Sequence, residues 1–261
     1  MKLVRYQKDG GVYNGILRGE TVARIKGDFF GSLDETGEQD WLDEIKLLAP
    51  VDPPNVICIG LNYRQHAVET GAKFPERPVI FIKTTNTVRG PGDDIVLPAV
   101  APNEVDYEAE LAIVIGKTMK NVPEDKVFDY VLGYTCANDV SQRNVQIKLD
   151  IQWARGKSFD TFCPIGPCIE TEMEPDNTPI KLRLNGETMQ DLNTEDMIFN
   201  CRQLLAFLSQ NMTLYPGTII STGTPQGVGF ARTPPVFLKA GDVCEVEIGG
   251  IGVLQNKVVA E

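Results

Sequence analysis

The segment "EVDYEAELAIVIG", Glu104 to Gly116, sets the tightest condition on how this chain can fold. Its second half, Leu111 to Ile115, contains no polar residue and so reads as a strand buried on both faces. Its first half places Glu104, Asp106, Glu108 and Glu110 at two-residue spacing. On a single β-strand these four carboxylates leave the same face of the sheet. Burying a carboxylate without a partner costs on the order of several kcal/mol. Either water or a cation must therefore lie opposite that face.

The remaining chain is rich in short strand candidates. "KLVRYQ", "GVYNGIL" and "TVARI" are separated by turns containing Gly or Asp, and "DWLDEIKLL" reads as a short helix. Three prolines in "APVDPPN" mark a break, so the chain divides into a small β-rich unit at residues 1–52 and a main domain at 53–261. In the main domain "NVICIG", "PVIFIK", "DIVLP", "VLGYTCAND", "GTIIS", "DVCEVEI" and "IGVLQNKVV" read as strands. "PIKLRLNGETMQDL" reads as a hairpin about Asn185-Gly186. Three helices are expected. One is "NYRQHAVETG", with Asn62 as N-cap and Gly71 just past its end. Another is "VPEDKVFDY", with Pro123 near its first turn. The third is "NTEDMIFNCRQLLAFLSQ", capped by Asn193 or Thr194. The fold class is thus mainly β with short helices (α+β), a mixed β-roll or barrel in preference to a doubly wound sheet.

The formal net charge of −11 argues against nucleic acid as the main partner, because phosphate neutralisation needs surplus Lys and Arg. "MKLVRYQKDGG" lacks the apolar core of a signal peptide, and no segment approaches the ~20 apolar residues of a membrane span. These features point to a cytosolic protein. Six cysteines stand without a CxxC pair, which reads as buried small side chains and not as a zinc or redox motif.

Three constellations could carry chemistry. Glu108 and Glu110 lie one pleat apart, and Asp139 ends the strand "VLGYTCAND". Oxygen-only ligation of this kind selects Mg²⁺ or Mn²⁺ before Zn²⁺. The spacing alone fits a solvated acidic edge strand equally well. His66, the only histidine, stands three residues from Glu69 and shares a helical face with it. That pair could serve as an oriented general base, or be a surface histidine beside an acid. No HExxH motif and no G-x-S-x-G elbow accompany it. Finally Arg143, Gln146 and Lys157 offer fixed donors, and "STGTPQGVG" presents a glycine-rich loop that matches no nucleotide fingerprint.

Taken in order, "CIGLNYRQHA", "PVIFIK", "VDYEAELAIVIG", "GYTCANDVSQR", "RGKSFDTFCPIGP", "LRLNGE" and "GTIISTGTPQGVG" resemble the fumarylacetoacetate hydrolase family over nearly all of the main domain. The resemblance implies a mixed β-roll, a homodimer and Mg²⁺- or Mn²⁺-dependent chemistry on short 2-oxo acids and 1,3-diketo acids. It implies Glu108, Glu110 and Asp139 as metal ligands, with His66 and Glu69 on a lid over the site and Lys157 beside the metal. Arg143, Gln146 and Thr224 would bind substrate, and Thr161 would support from behind. Glu104 and Asp106 are expected nearer solvent. The activity expected is hydrolysis of a C–C bond in acylpyruvate-type 1,3-diketo acids through a metal-stabilised enolate. Oxaloacetate decarboxylation and isomerisation of 2-hydroxyhepta-2,4-diene-1,7-dioate type are the alternatives on the same site, and a non-catalytic metabolite-binding relative is a remoter one. One departure is visible: Gln142-Arg143-Asn144 stands where many relatives read Ala-Arg-Asp, which bears on substrate preference.

Overall fold

A computed structural model describes residues 1–261. A 12-stranded sheet dominates it. In spatial order the strands are Glu35–Trp41, Thr21–Ile25, Gly11–Arg18, Lys2–Lys8, Cys163–Glu170, Val131–Asn138, Ala109–Ile115, Ile219–Ser221, Val56–Gly60 and Val79–Lys83. Lys46–Leu47 and Val88–Arg89 pair off that path. A five-stranded sheet holds Glu187–Asn193, Pro179–Leu184, Val243–Ile248, Gly252–Ala260 and Ile95–Leu97. The fold is mainly β with few helices, as the strand-rich sequence requires. No helix is long and apolar enough to cross a membrane.

Period-two alternation explains where the acidic segment sends its side chains. Along Ala109–Ile115, Leu111, Ile113 and Ile115 enter one core, while Ala112 and Val114 enter a second core on the opposite face. Glu110 has the parity of Ala112 and Val114, so it leaves on the face of the smaller core, which holds Cys58, Phe81 and Cys163. All six cysteines are buried and unpaired.

The hairpin about Asn185-Gly186 forms as the dipeptide predicts, with both residues at positive φ (54° and 82°) between paired strands. Three helical expectations change. "DWLDEIKLL" yields only a 3₁₀ turn at Leu42–Glu44, because Trp41 remains in a strand. The segment after Pro123 is 3₁₀ over Glu124–Tyr130. The long helix starts at Cys201, not near Thr194: Asn200 and Gln203 form a capping box, and Asn193 caps a separate 3₁₀ turn at Thr194–Asp196. Tertiary pairing decides this, since Met197 forms a bridge with Tyr63 that a helical residue could not make.

Candidate active site

The carboxylates converge because two adjacent strands end together. Ala109 pairs with Asn138, so the next residues outward, Glu108 and Asp139, face each other, and the Asp139 amide donates to the Glu108 carbonyl at 2.9 Å. On the other side Ala112 pairs with Ser221, which carries the chain to Gly223 opposite Glu110. The Gly223 amide (2.9 Å) and the Ser221 hydroxyl both donate to Glu110 Oε2. Gly223 sits at φ +98°, and a Cβ there would meet Asn62 Cβ at 2.8 Å, so this turn requires glycine. One carboxylate oxygen from each of Glu108, Glu110 and Asp139 lies within 4.8 Å of the others.

Buried cations hold this cluster. The Lys157 ammonium donates to Glu108 Oε2 (2.6 Å) and Asp139 Oδ2 (2.5 Å). Lys83 donates to Asp139 Oδ1 (2.5 Å) and the Val140 carbonyl (3.0 Å). Arg143 reaches Glu108 Oε1 (2.6 Å), Asp106 Oδ2 (2.9 Å, through Nε) and Gln146 Oε1 (3.0 Å). Asp106, Glu108, Glu110 and Asp139 are all buried, as are Lys83, Arg143 and Lys157. Four carboxylates thus face three cations.

The charge is unevenly covered. Burial raises the Glu108 carboxyl, but the Arg143 and Lys157 charges outweigh it and hold the group far below the usual carboxylate range. Glu110 goes the other way, well above that range, because burial and the neighbouring Asp139 and Glu108 charges all oppose its ionisation. Its Oε2 has two donors while its Oε1 has none. An all-oxygen donor set with one uncovered, charge-strained carboxylate fits a hard divalent cation.

The dyad sits on the helix Arg64–Thr70. His66 Nδ1 lies 3.2 Å from Glu69 Oε2, and Glu69 Oε1 accepts from the Gly227 amide at 2.8 Å. With Nδ1 donating to Glu69, Nε2 carries the lone pair. Gly71 ends the helix in the left-handed conformation as expected, but Asn62 does not cap it. Asn62 instead clamps the Phe199 and Thr222 carbonyls and the Phe199 amide.

These groups share one cavity of about 640 Å³, lined by His66, Glu108, Glu110, Arg143, Gln146, Lys157 and Thr224 among others. The Thr224 hydroxyl already donates to the Ala109 carbonyl (2.9 Å) and accepts from Gln190 (2.8 Å). Thr161 lies elsewhere, with its Oγ1 accepting from the Val96 amide at 2.8 Å. Asn144 lines a separate cleft beside Glu104 and Gln142. Asp106 corrects the expectation of a solvent position. It is fully buried and accepts from Arg143 and from the Gly229 (2.8 Å) and Phe230 (3.0 Å) amides. Glu104 is the outer carboxylate, paired with Lys148 at 2.8 Å. Lys83 and Ser221 are not among the site residues expected from the sequence. A lone lysine closing the apolar strand "VIFIK" was the available signal for Lys83, and nothing singled out Ser221.

The family model described as fumarylacetoacetate (FAA) hydrolase C-terminal matches residues 55–259. The chain belongs to the fumarylacetoacetate hydrolase family. A second model, Rv2993c-like N-terminal, matches residues 1–50. Among relatives in this family, the mitochondrial oxaloacetate tautomerase Fahd2a of Rattus norvegicus is 48% identical over 220 residues, covering 83% of this chain and 70% of its own. Solved structures in the family are similar along the full length. The 5-carboxymethyl-2-hydroxymuconate delta-isomerase of Mycobacterium smegmatis has a TM-score of 0.91 at 38% identity, covering 100% of both chains. A fumarylacetoacetate hydrolase of Exiguobacterium antarcticum has a TM-score of 0.91 at 37% identity, with the same coverage. Family membership therefore spans tautomerase, isomerase and hydrolase names on one architecture.

Proposed function

We propose that the chain is a Mg²⁺- or Mn²⁺-dependent enzyme that moves a proton at the carbon beside the keto group of a short 2-oxo acid. The keto–enol conversion named for the rat relative is the model reaction. The observation that carries this reading is a buried carboxylate triad sharing one cavity with a single oriented imidazole. A divalent cation held by Glu108, Glu110 and Asp139 would polarise the 2-oxo group and template its carboxylate.

The remaining work belongs to side chains of this protein. His66 takes a proton from the enol hydroxyl or the adjacent carbon and returns one to the other position, so the composition of the substrate is unchanged. Glu69 fixes the imidazole, and the Gly227 amide fixes Glu69. The Lys157 ammonium, pushed up by Asp139 and Glu108 against the opposing effect of burial, stays charged and stabilises negative charge that develops on the substrate oxygen. Gln146 spends its Oε1 on Arg143, leaving its Nε2 to donate toward the cavity. Phe81, Trp153 and Phe230 exclude water from the wall.

A second reading, hydrolysis of the C–C bond of an acylpyruvate, is favoured by the same dyad. Both Glu69 oxygens are committed, which is the arrangement that would hold His66 as base for an attacking water. One assay separates the two. Enolic oxaloacetate and acetylpyruvate are each supplied with Mn²⁺, and the loss of enol absorbance and the release of acid are followed. The first reading expects fast enol loss from oxaloacetate without acid release, abolished by EDTA. Acetate release from acetylpyruvate as the dominant activity overturns it in favour of hydrolysis. In either case His66→Ala is expected to lower kcat by about 10² or more, and an unaffected rate removes the dyad from the mechanism.

A further inference from the structure

The cavity exceeds what a carboxylate and a neighbouring carbonyl fill. At about 640 Å³ it falls within the range of roughly 300–1,000 Å³ that holds drug-sized ligands. Its two ends also differ in chemistry. The floor is the acidic triad with Lys157. From Lys157 outward the wall turns apolar, beginning with the Phe81 ring, whose centroid lies 5.1 Å from the ammonium. Phe81 meets Trp153 edge-on at a centroid distance of 5.7 Å. Trp153 in turn covers Gly60 so closely that a Cβ there would meet its ring at 2.3 Å. Farther out, Ile147, Leu149 and Ile151 are 54%, 63% and 103% exposed while lining the same cavity.

The charges point the same way. Every Lys or Arg lining the cavity is already engaged by a carboxylate of the chain. Arg143 holds Asp106 and Glu108, Lys157 holds Glu108 and Asp139, and Lys148 holds Glu104. None is left for a carboxylate in the outer half of the cavity, beyond the head site that a four-carbon acid such as oxaloacetate would occupy, whereas three large apolar side chains stand uncovered there.

We propose that the outer half of this cavity is a tail subsite that takes an uncharged aliphatic or aromatic group carried by the 2-oxo acid. The inference rests on the reading of the triad as the site of the 2-oxo head, and it names the substrate class that this head site serves. The tail lies against Trp153 and Phe81 and, by covering Leu149 and Ile151, removes their apolar surface from water. Each methylene buried in this way strengthens binding about threefold to fourfold.

N-alkyl oxamates test this directly, because oxamate presents a carboxylate beside a carbonyl and the alkyl group alone is varied. Dissociation constants of oxamate and its N-ethyl, N-butyl and N-hexyl derivatives are measured by titration calorimetry on the full chain with Mn²⁺. The expected result is a stepwise gain with each added methylene, reaching about tenfold or more by the butyl derivative. In the double variant Leu149→Ser, Ile151→Ser, the ratio of hexyl to parent affinity is expected to fall severalfold. Both positions are exposed, so the variant leaves the cores untouched. Oxamate binding without any gain from the tail overturns the subsite while leaving the head site standing. A gain that survives undiminished in the double variant also overturns it, since the tail then lies elsewhere. Failure of oxamate itself to bind overturns the head site and the subsite together.

Discussion

Lys83 and Glu110 occupy opposite sides of the same electrostatic problem. Lys83 closes the strand Val79–Lys83 with a fully buried side chain whose partners are Asp139 and the Val140 carbonyl. Replacing it with Met keeps the bulk and leaves Asp139 with one cation fewer. Breaking a buried pair from one side costs about 3–5 kcal/mol, so Lys83→Met is expected to lower unfolding free energy by that order in urea titrations. Glu110 has the reverse sign. Glu110→Gln retains an acceptor for Gly223 and Ser221 but removes a carboxyl whose ionisation burial, Asp139 and Glu108 oppose in the folded state. The metal-free variant is expected to melt higher than the parent, by about 2–4 °C if the relief is worth about 1 kcal/mol. Its Mn²⁺ affinity, read by calorimetry, should fall by at least about tenfold, the lower end of the effect expected even for groups behind a ligand. A variant that melts lower, or binds Mn²⁺ undiminished, removes Glu110 from this role. The two-residue spacing made Glu110 legible in the sequence. The pressure on it was not, because it depends on Asp139, which comes 29 residues later and reaches the site through strand pairing.

At the scale of elements, the short helix Arg64–Thr70 cannot stand alone. A helix of seven residues is well below the ~12–15 needed for marginal stability in water. It is held from outside: the Gln65 amide donates to Asp196 Oδ2 at 2.9 Å, and Arg64 reaches the Asp196 and Met197 carbonyls. Asp196→Ala is therefore expected to speed amide exchange across residues 64–70 and lower kcat through His66 while leaving Mn²⁺ affinity unchanged. Equal protection in parent and variant would show that the helix is fixed by its other contacts. The helix itself was legible from Gly71, which sits at φ +68°. Its start was not, since Asn62 is an excellent cap by type yet serves here as a clamp between Phe199 and Thr222. The long helix starts later than its apolar pattern suggests for a related reason. Two asparagines, Asn193 and Asn200, each suit a cap, and the Asn200–Gln203 capping box together with the Tyr63–Met197 bridge places the helix start at the second.

Across the whole molecule, the strand types could be read locally but their order could not, because it joins distant segments. Lys2 and Leu3 pair with Glu170 and Ile169, and the N-terminal ammonium meets Glu170 at 2.6 Å. Leu3 lies in the same core as Ile169, Ala137 and Val114. The first fifty residues are therefore tied into the sheet that carries the acidic triad. Their own anchor is Asp40, only 3% exposed. Its carboxylate accepts from Tyr6 Oη (2.5 Å) and from both Nε (3.1 Å) and Nη2 (2.9 Å) of Arg24, with Lys8 at 3.1 Å. Burial raises this carboxyl, but the Tyr6, Arg24 and Lys8 contacts outweigh it and leave it below its ordinary value. A carboxyl lowered in the folded state binds its proton more readily when unfolded. Its contribution is complete above the unfolded pKa of about 3.9 and disappears as pH falls through the lower folded value. Asp40→Asn is accordingly expected to melt lower than the parent at pH 7, with the gap narrowing as pH drops below about 4. Because the pairing at Lys2 and Leu3 makes the N-terminal strands part of the large sheet, the shift should move one calorimetric transition as a whole. A second, earlier transition confined to the variant would mean that the N-terminal strands melt as a unit of their own, and the sheet continuity would then carry no cooperative coupling to the site.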